Sequence, residues 1–206
     1  MVDDLRTITN CLRNGVYNRV VSPVSLIIAG ISILLFVSNI GKDGINGYLI
    51  LPFLHGSWIH LTDNLFFLLV LGSWVEFRIG SVNFLKRIIP IAYISLYAPL
   101  FLRYGELAWG LSGLTKALTA YAIPVLFIRL NYHFDNLEFG FYRIATLLIH
   151  FTLMVYLFAS VTLTAKRLMG LSPIPSGLAL SVHVTGICLG IIWFCWRLRN
   201  YAAYDI

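Results

Sequence analysis

Six apolar runs, each long enough to cross a bilayer, constrain this chain more than anything else in it. A spanning helix takes about 20 mostly apolar residues, and the runs fall at 20–40, 51–77, 84–102, 111–130, 144–165 and 177–196. Their length and continuity favour helices, because within lipid only helices or closed barrels satisfy every backbone group. Pro90, Pro99 and Pro124 lie inside runs, where neighbouring helices re-satisfy the carbonyls that proline frees. Composition agrees: 59% of the 206 residues are hydrophobic and 12% charged, against about 25% charged in a soluble domain. The polar intervals are too short for a second domain. The expectation is an all-α membrane protein, a single six-transmembrane-helix bundle covering 1–206.

Charge sets the orientation. The net charge is +6, but the basic residues sit singly at the ends of apolar runs and form no stripe that would suit nucleic acid. Arg6, Arg13, Arg19, Arg78, Lys86, Arg87, Arg129, Arg143, Arg197 and Arg199 fall on the side of the termini. Only Lys42, Arg103, Lys166 and Arg167 fall opposite. By the positive-inside rule both termini are cytoplasmic, so the second, fourth and sixth runs enter from the outer face. The first 19 residues carry Asp3 and Asp4 and lack an apolar core, unlike a cleavable signal peptide. The expected location is a plasma membrane of prokaryotic type. Cys11, Cys188 and Cys195 have no CxxC spacing, so neither a metal site nor a disulfide framework follows, and no cofactor is expected.

That orientation brings chemistry to one level. His60, Ser112 and His183 each lie one to two turns from the outer surface at about 1.5 Å per residue. A serine hydroxyl becomes a nucleophile when a base takes its proton, and neutral imidazole suits that task near pH 7. His183, Gly186 and Gly190 share a helical face, and Gly113 with Ala117 forms a comparable small surface beside Ser112, so the fourth and sixth runs are expected to pack closely. His60 and Asn64, four apart, share a face of the second run and can both donate to a developing oxyanion. The unpaired amides at the start of the fourth run, including that of Ser112, are further donors. Asp43, Asp63 and Glu106 are the nearest outer acids and none has a place beside His183, which points to a dyad. Each residue also has a packing interpretation. Glycine and serine are common in membrane-helix contacts, His60 and Asn64 can clasp two helices, and His150, deep in the fifth run, reads as a hydrogen-bonded core histidine. His55 is assigned to the lining of the loop entry.

Taken together, these motifs resemble the rhomboid family of intramembrane serine proteases. The resemblance rests on His60-Leu61-Thr62-Asp63-Asn64, on Leu71-Gly72-Ser73-Trp74-Val75-Glu76-Phe77-Arg78-Ile79-Gly80, on Gly110-Leu111-Ser112-Gly113, and on His183-Val184-Thr185-Gly186-Ile187-Cys188-Leu189-Gly190. Their order and spacing extend it over about 20–196. It implies a nucleophilic Ser112, a general base His183, and an oxyanion or substrate-binding side made of His60, Asn64, Gly110 and Leu111. Glu76 and Arg78 are implied to serve structure at the cytoplasmic end of the second span. The implied substrates are single-spanning membrane proteins, cleaved in or near their spans. Water would come from the outer face, and the fifth span or the 166–176 cap would move to admit substrate from the lipid. The outer loop 41–50 would lie partly in the interface, where Tyr48 and Trp58 suit the aromatic belt.

The chain departs from the family at Lys116. Many active members carry an aromatic residue four after the serine, packed on the catalytic imidazole. Lys116 has three readings here: snorkelling outward, lying by His183, or acting as an alternative base. It is grouped with His55 as a modulator. Val182 is also bulkier than the alanine common before the histidine. The alternative function is a catalytically silent rhomboid-like protein that binds membrane clients; retention of both serine and histidine favours the enzyme. A small transporter would show inverted repeats, and none is visible.

Overall fold

Among the described residues, six main helices stand where the six apolar runs are. The computed structural model describes residues 22–39, 47–101, 109–135, 141–172 and 179–202, and every element within them is helical. They are α1 (Pro23–Ser38), α2 (Trp58–Ile79), α3 (Ser81–Phe101), α4 (Ser112–Asp135), α5 (Phe141–Leu168) and α6 (Leu180–Ala202). A short turn at Gly47–Ile50 runs into a 3-10 turn at Leu51–Phe53. Asp43, Glu106, Cys11, most of the 41–50 loop, part of the 166–176 cap and the side chain of His150 lie outside what is described.

The helix boundaries follow local chemistry. Pro23 opens α1, where its fixed φ suits the first turn, and Asn39 closes it in the left-handed conformation. The second apolar run begins its membrane helix later than its hydropathy suggests. Residues 51–57 form the 3-10 turn and a loop, because Ser57 caps the helix, its Oγ accepting from the His60 amide at 3.2 Å. At the far end Gly80, with φ of 80°, stops α2 and lets α3 begin at once. Inside α2 a single π turn, Leu68–Gly72, places Gly72 against Ser25 of α1 and Phe84 of α3.

Trp58–Ile79 and Leu180–Arg199 are both long and apolar enough to cross a bilayer, and only a third of each is buried within the protein. Pro23–Ser38 and Ser112–Ile128 are shorter apolar stretches. On α1 the small residues Ser22, Ser25, Ala29 and Ser32 face inward, while Leu26, Ile27, Ile31, Leu34 and Val37 face out. This inside-out polarity suits a helix whose solvent is lipid.

The centre of the bundle is α4. Gly113, Leu114, Thr115, Ala117, Leu118, Thr119, Ala120, Tyr121 and Ala122 are all buried, so this helix is surrounded and can carry hydroxyls among its apolar residues. Its closest neighbour is α6. A Cβ on Gly186 would sit 2.1 Å from the Gly113 carbonyl oxygen, and one on Gly190 2.2 Å from that of Ala117. The Cα–H that replaces each Cβ therefore aims at a carbonyl, the geometry of a weak hydrogen bond. One turn further, Tyr121 meets Phe194 and stacks on Trp193. Steps of four along one helix match steps of four along the other, so α4 and α6 run parallel and in register.

Glu76 ties the opposite end together. Its carboxylate accepts from the amides of Val24 and Ser25 and from the hydroxyls of Ser25 and Ser81. A buried carboxylate is tolerable when hydrogen-bonded in this way, and the first turn of α1 is where its charge is favoured. Arg78 lies over the Trp74 ring and donates to the Trp74 carbonyl.

Gly190→Ala is expected to destabilise the protein by about 1–3 kcal/mol, because the new methyl meets backbone that cannot move aside. Gly30→Ala, on a face of α1 with nothing within 4 Å, is expected to be neutral or stabilising by under about 1 kcal/mol. Thermal unfolding in detergent micelles distinguishes the two.

Candidate active site

The site forms where the loop before α2, the loop before α4 and the first turns of α4 and α6 meet. Gly110 anchors the loops: its amide donates to the Leu51 carbonyl at 3.0 Å, and its φ of 105° is one that side-chain-bearing residues avoid. A Cβ there would lie 2.8 Å from Cε1 of His60. The His60 ring thus rests on the bare backbone of Gly110, and α4 starts two residues later at Ser112.

His55 lies behind His60, with ring centroids 5.1 Å apart. It does not line the mouth of the loop; it is buried, with Nδ1 and the Phe53 carbonyl oxygen 3.0 Å apart and Nε2 unpartnered. The 3-10 turn at Leu51–Phe53 folds it inward. Burial, reinforced by His60 and partly opposed by the Phe53 carbonyl, pushes its pKa down from 6.5 to about 4.

Asn64 is one turn beyond His60 and buried. The Thr115 hydroxyl lies 3.2 Å from Asn64 Oδ1 and 3.0 Å from the Ser112 carbonyl. This joins Asn64 to the turn that carries Ser112 and leaves the Asn64 amide nitrogen buried without a partner. An unmade hydrogen bond of this kind costs about 1–3 kcal/mol. Such a donor is suited to an acceptor that arrives only with a substrate. The first amides of α4, which begin at Ser112, have no acceptor within the helix. Leu111 is buried just before them, its carbonyl accepting from the Thr115 amide.

His183 is buried on the first turn of α6. The residue before it, Val182, lies with a γ-methyl 3.0 Å from where a Cβ on Gly113 would be. The bulk of Val182 is accommodated because Gly113 has no side chain. His183 and Ser112 therefore belong to turns that touch through Gly113, Val182 and Gly186. Nδ1 of His183 is buried without a partner, so no carboxylate orients this ring among the described residues. Asp63, the described outer acid, is exposed. Among the described residues no three metal-ligating side chains converge.

Lys116 takes a course of its own. It does not snorkel outward from α4: Nζ donates to Ser160 of α5 and stands 5.9 Å from the centre of the Phe67 ring. Position 116 faces the seam between α4 and α5, and Ser160 offers an acceptor within reach. Thr115 and Ser160 were not singled out in the sequence. Thr115 had a legible signal, since it lies one turn from Ser112 on the same face; Ser160 had none, being one of several hydroxyls in the fifth run.

A bundle of apolar helices, with a serine turn, a histidine and an unspent amide donor at one end, defines an integral membrane protein with a candidate hydrolytic site. Residues 43–200 match the family model of the Rhomboid domain, well over half of the chain. The chain belongs to the rhomboid family. A comparison with curated proteins finds no match.

The neutral state of buried His55 has a consequence for stability. An unfolded chain takes up the proton near pH 6.5, whereas folded His55 resists it until about pH 4. Stability from this residue is intact above about 6.5 and is lost as the pH falls toward 4. His55→Gln is expected to flatten the acid limb of a stability–pH curve measured by thermal unfolding.

Proposed function

We propose that this rhomboid protein is an intramembrane serine endopeptidase that cleaves single-spanning membrane proteins in or near their transmembrane segments. All six helices span the bilayer in this reading, both termini are cytoplasmic, and Ser112 and His183 open toward the outer side. The observation that carries it is the buried, unpartnered amide of Asn64, linked through Thr115 to the turn of Ser112. The family, made up mostly of intramembrane serine proteases, supports the same reading.

In the reaction His183 takes the proton from Ser112 Oγ as the oxygen attacks the scissile carbonyl carbon. Nδ1 is buried without a partner, and in this reading Nε2 makes the transfer. The carbonyl oxygen, now negative, is stabilised by the Asn64 amide, by His60 and by the open amides of the first turn of α4. Collapse breaks the C–N bond, and His183 delivers its proton to the departing amine. Water from the outer side then attacks the acyl-enzyme with His183 again as base, releasing the carboxylate product and restoring Ser112.

A second reading, a client-binding member without activity, is favoured by one observation: Lys116 stands where an aromatic residue would support the imidazole, and its side chain is committed to α5. Reporter cleavage in liposomes decides between them. Ser112→Ala and His183→Ala are expected to abolish cleavage, and Asn64→Ala to lower kcat about 10²–10³-fold, the size of a lost oxyanion donor. Identical traces from wild type and Ser112→Ala would leave the client-binding reading.

A further inference from the structure

Two cations stand beside the candidate site with no carboxylate to balance them among the described residues. Lys116 donates to Ser160, and Arg167 lies seven residues after Ser160 on the same face of α5, so the two cations share the α4–α5 seam; each also acts electrostatically on the other and on the His183 imidazole. Lys116 is partly buried between Phe67 of α2 and Ser160 of α5. Its ammonium has three donors, one of which Ser160 takes. Arg167 closes α5 at the end where Ser112 and His183 lie, and its Nε is buried without a partner. Neither cation pairs with a carboxylate among the described residues; Asp63 influences Lys116 only at longer range.

Uncompensated charge at membrane depth, as at Lys116, marks a functional site by default, and a second like charge at the outer end of the same seam calls for an anion. We propose that Lys116 and Arg167 form a subsite for a carboxylate carried by the substrate's transmembrane segment, close to the bond that is cut. Chemistry and depth both favour a polypeptide carboxylate. Lys116 lies one turn along the central helix from Ser112, at a seam of three helices, and the Arg167 Nε–H is out of solvent. A lipid phosphate stays at the interface, whereas an aspartate or glutamate on an inserted segment reaches inward and accepts charge-assisted hydrogen bonds from both cations. The subsite names the substrate class more narrowly: segments with an acidic residue near the outer end of the span. Its place beside the scissile bond rests on the protease reading.

The test uses reporter transmembrane peptides that differ only in Glu, Gln or Lys, scanned through the outer third of the segment, in phosphatidylcholine vesicles. Cleavage is read with the wild-type protein, and affinity by energy transfer with the full-length Ser112→Ala protein. At one position Glu is expected to exceed Gln at least about tenfold in both readouts, the worth of one charge-assisted hydrogen bond. That ratio is expected to fall toward one in Lys116→Gln and in Arg167→Gln, and Lys116→Glu to shift preference toward the Lys peptide. Ratios within each variant are independent of how much protein folds. Equal handling of Glu and Gln at every position overturns the subsite, and the protease reading stands if cleavage proceeds. If no peptide is cleaved, the protease reading fails and the affinity ratio alone decides the subsite. A response to added phosphatidylglycerol that needs both cations, with no Glu preference, assigns them to a lipid headgroup and overturns the proposal.

Discussion

Backbone meeting backbone between α4 and α6 is the constraint on which the rest of this structure depends. Gly186 and Gly190 face the carbonyls of Gly113 and Ala117 with no side chain between them. In a bilayer, apolar area between helices contributes little, since lipid tails are equally apolar; close packing and weak hydrogen bonds decide which helices associate. The contact fixes axial register as well as distance. It sets the first turn of α6, with His183, against the first turn of α4, with Ser112, and one added methyl would alter both.

The polar groups around that contact are arranged at the two ends of the bundle for different purposes. At the Glu76 end each carboxylate oxygen is engaged, by the first amides of α1 and by the Ser25 and Ser81 hydroxyls, as a joint that must not open would require. At the Ser112 end the pattern is reversed. Nδ1 of His183, Nε2 of His55 and the Asn64 amide are all buried and unpartnered. Several unmade hydrogen bonds in one region are destabilising, and a bound peptide would supply the acceptor that the Asn64 amide lacks.

Much of this was legible in the sequence, because the physics that limits membrane proteins acts through simple patterns. Long apolar runs predicted the six main helices, and the GxxxG of α6 opposite Gly113 and Ala117 predicted the tightest contact. What hydropathy could not supply was the start of α2, since Leu51, Pro52 and Leu54 are as apolar as the span they precede; the Ser57 cap and the 3-10 turn decide the boundary. The burial of His55 was hidden for the same reason, as it depends on how that turn folds. Of the readings of Lys116, outward snorkelling fails because it is a property of an isolated helix, while the side chain's position here follows from Ser160 on a neighbour distant in sequence. Arg167 was read only as a topology charge, and its buried Nε depends on packing that the sequence does not display.

The account stands most directly on the claim that the α4–α6 contact makes Ser112 a nucleophile through His183. Labelling with a fluorophosphonate probe measures this without any choice of substrate: an activated serine oxygen displaces fluoride and keeps the phosphonyl group, which intact mass and peptide mapping locate. The account predicts one label per chain, on Ser112, lost in His183→Ala. An unlabelled wild-type protein that is folded, or labelling of Ser112 that persists without His183, would contradict it.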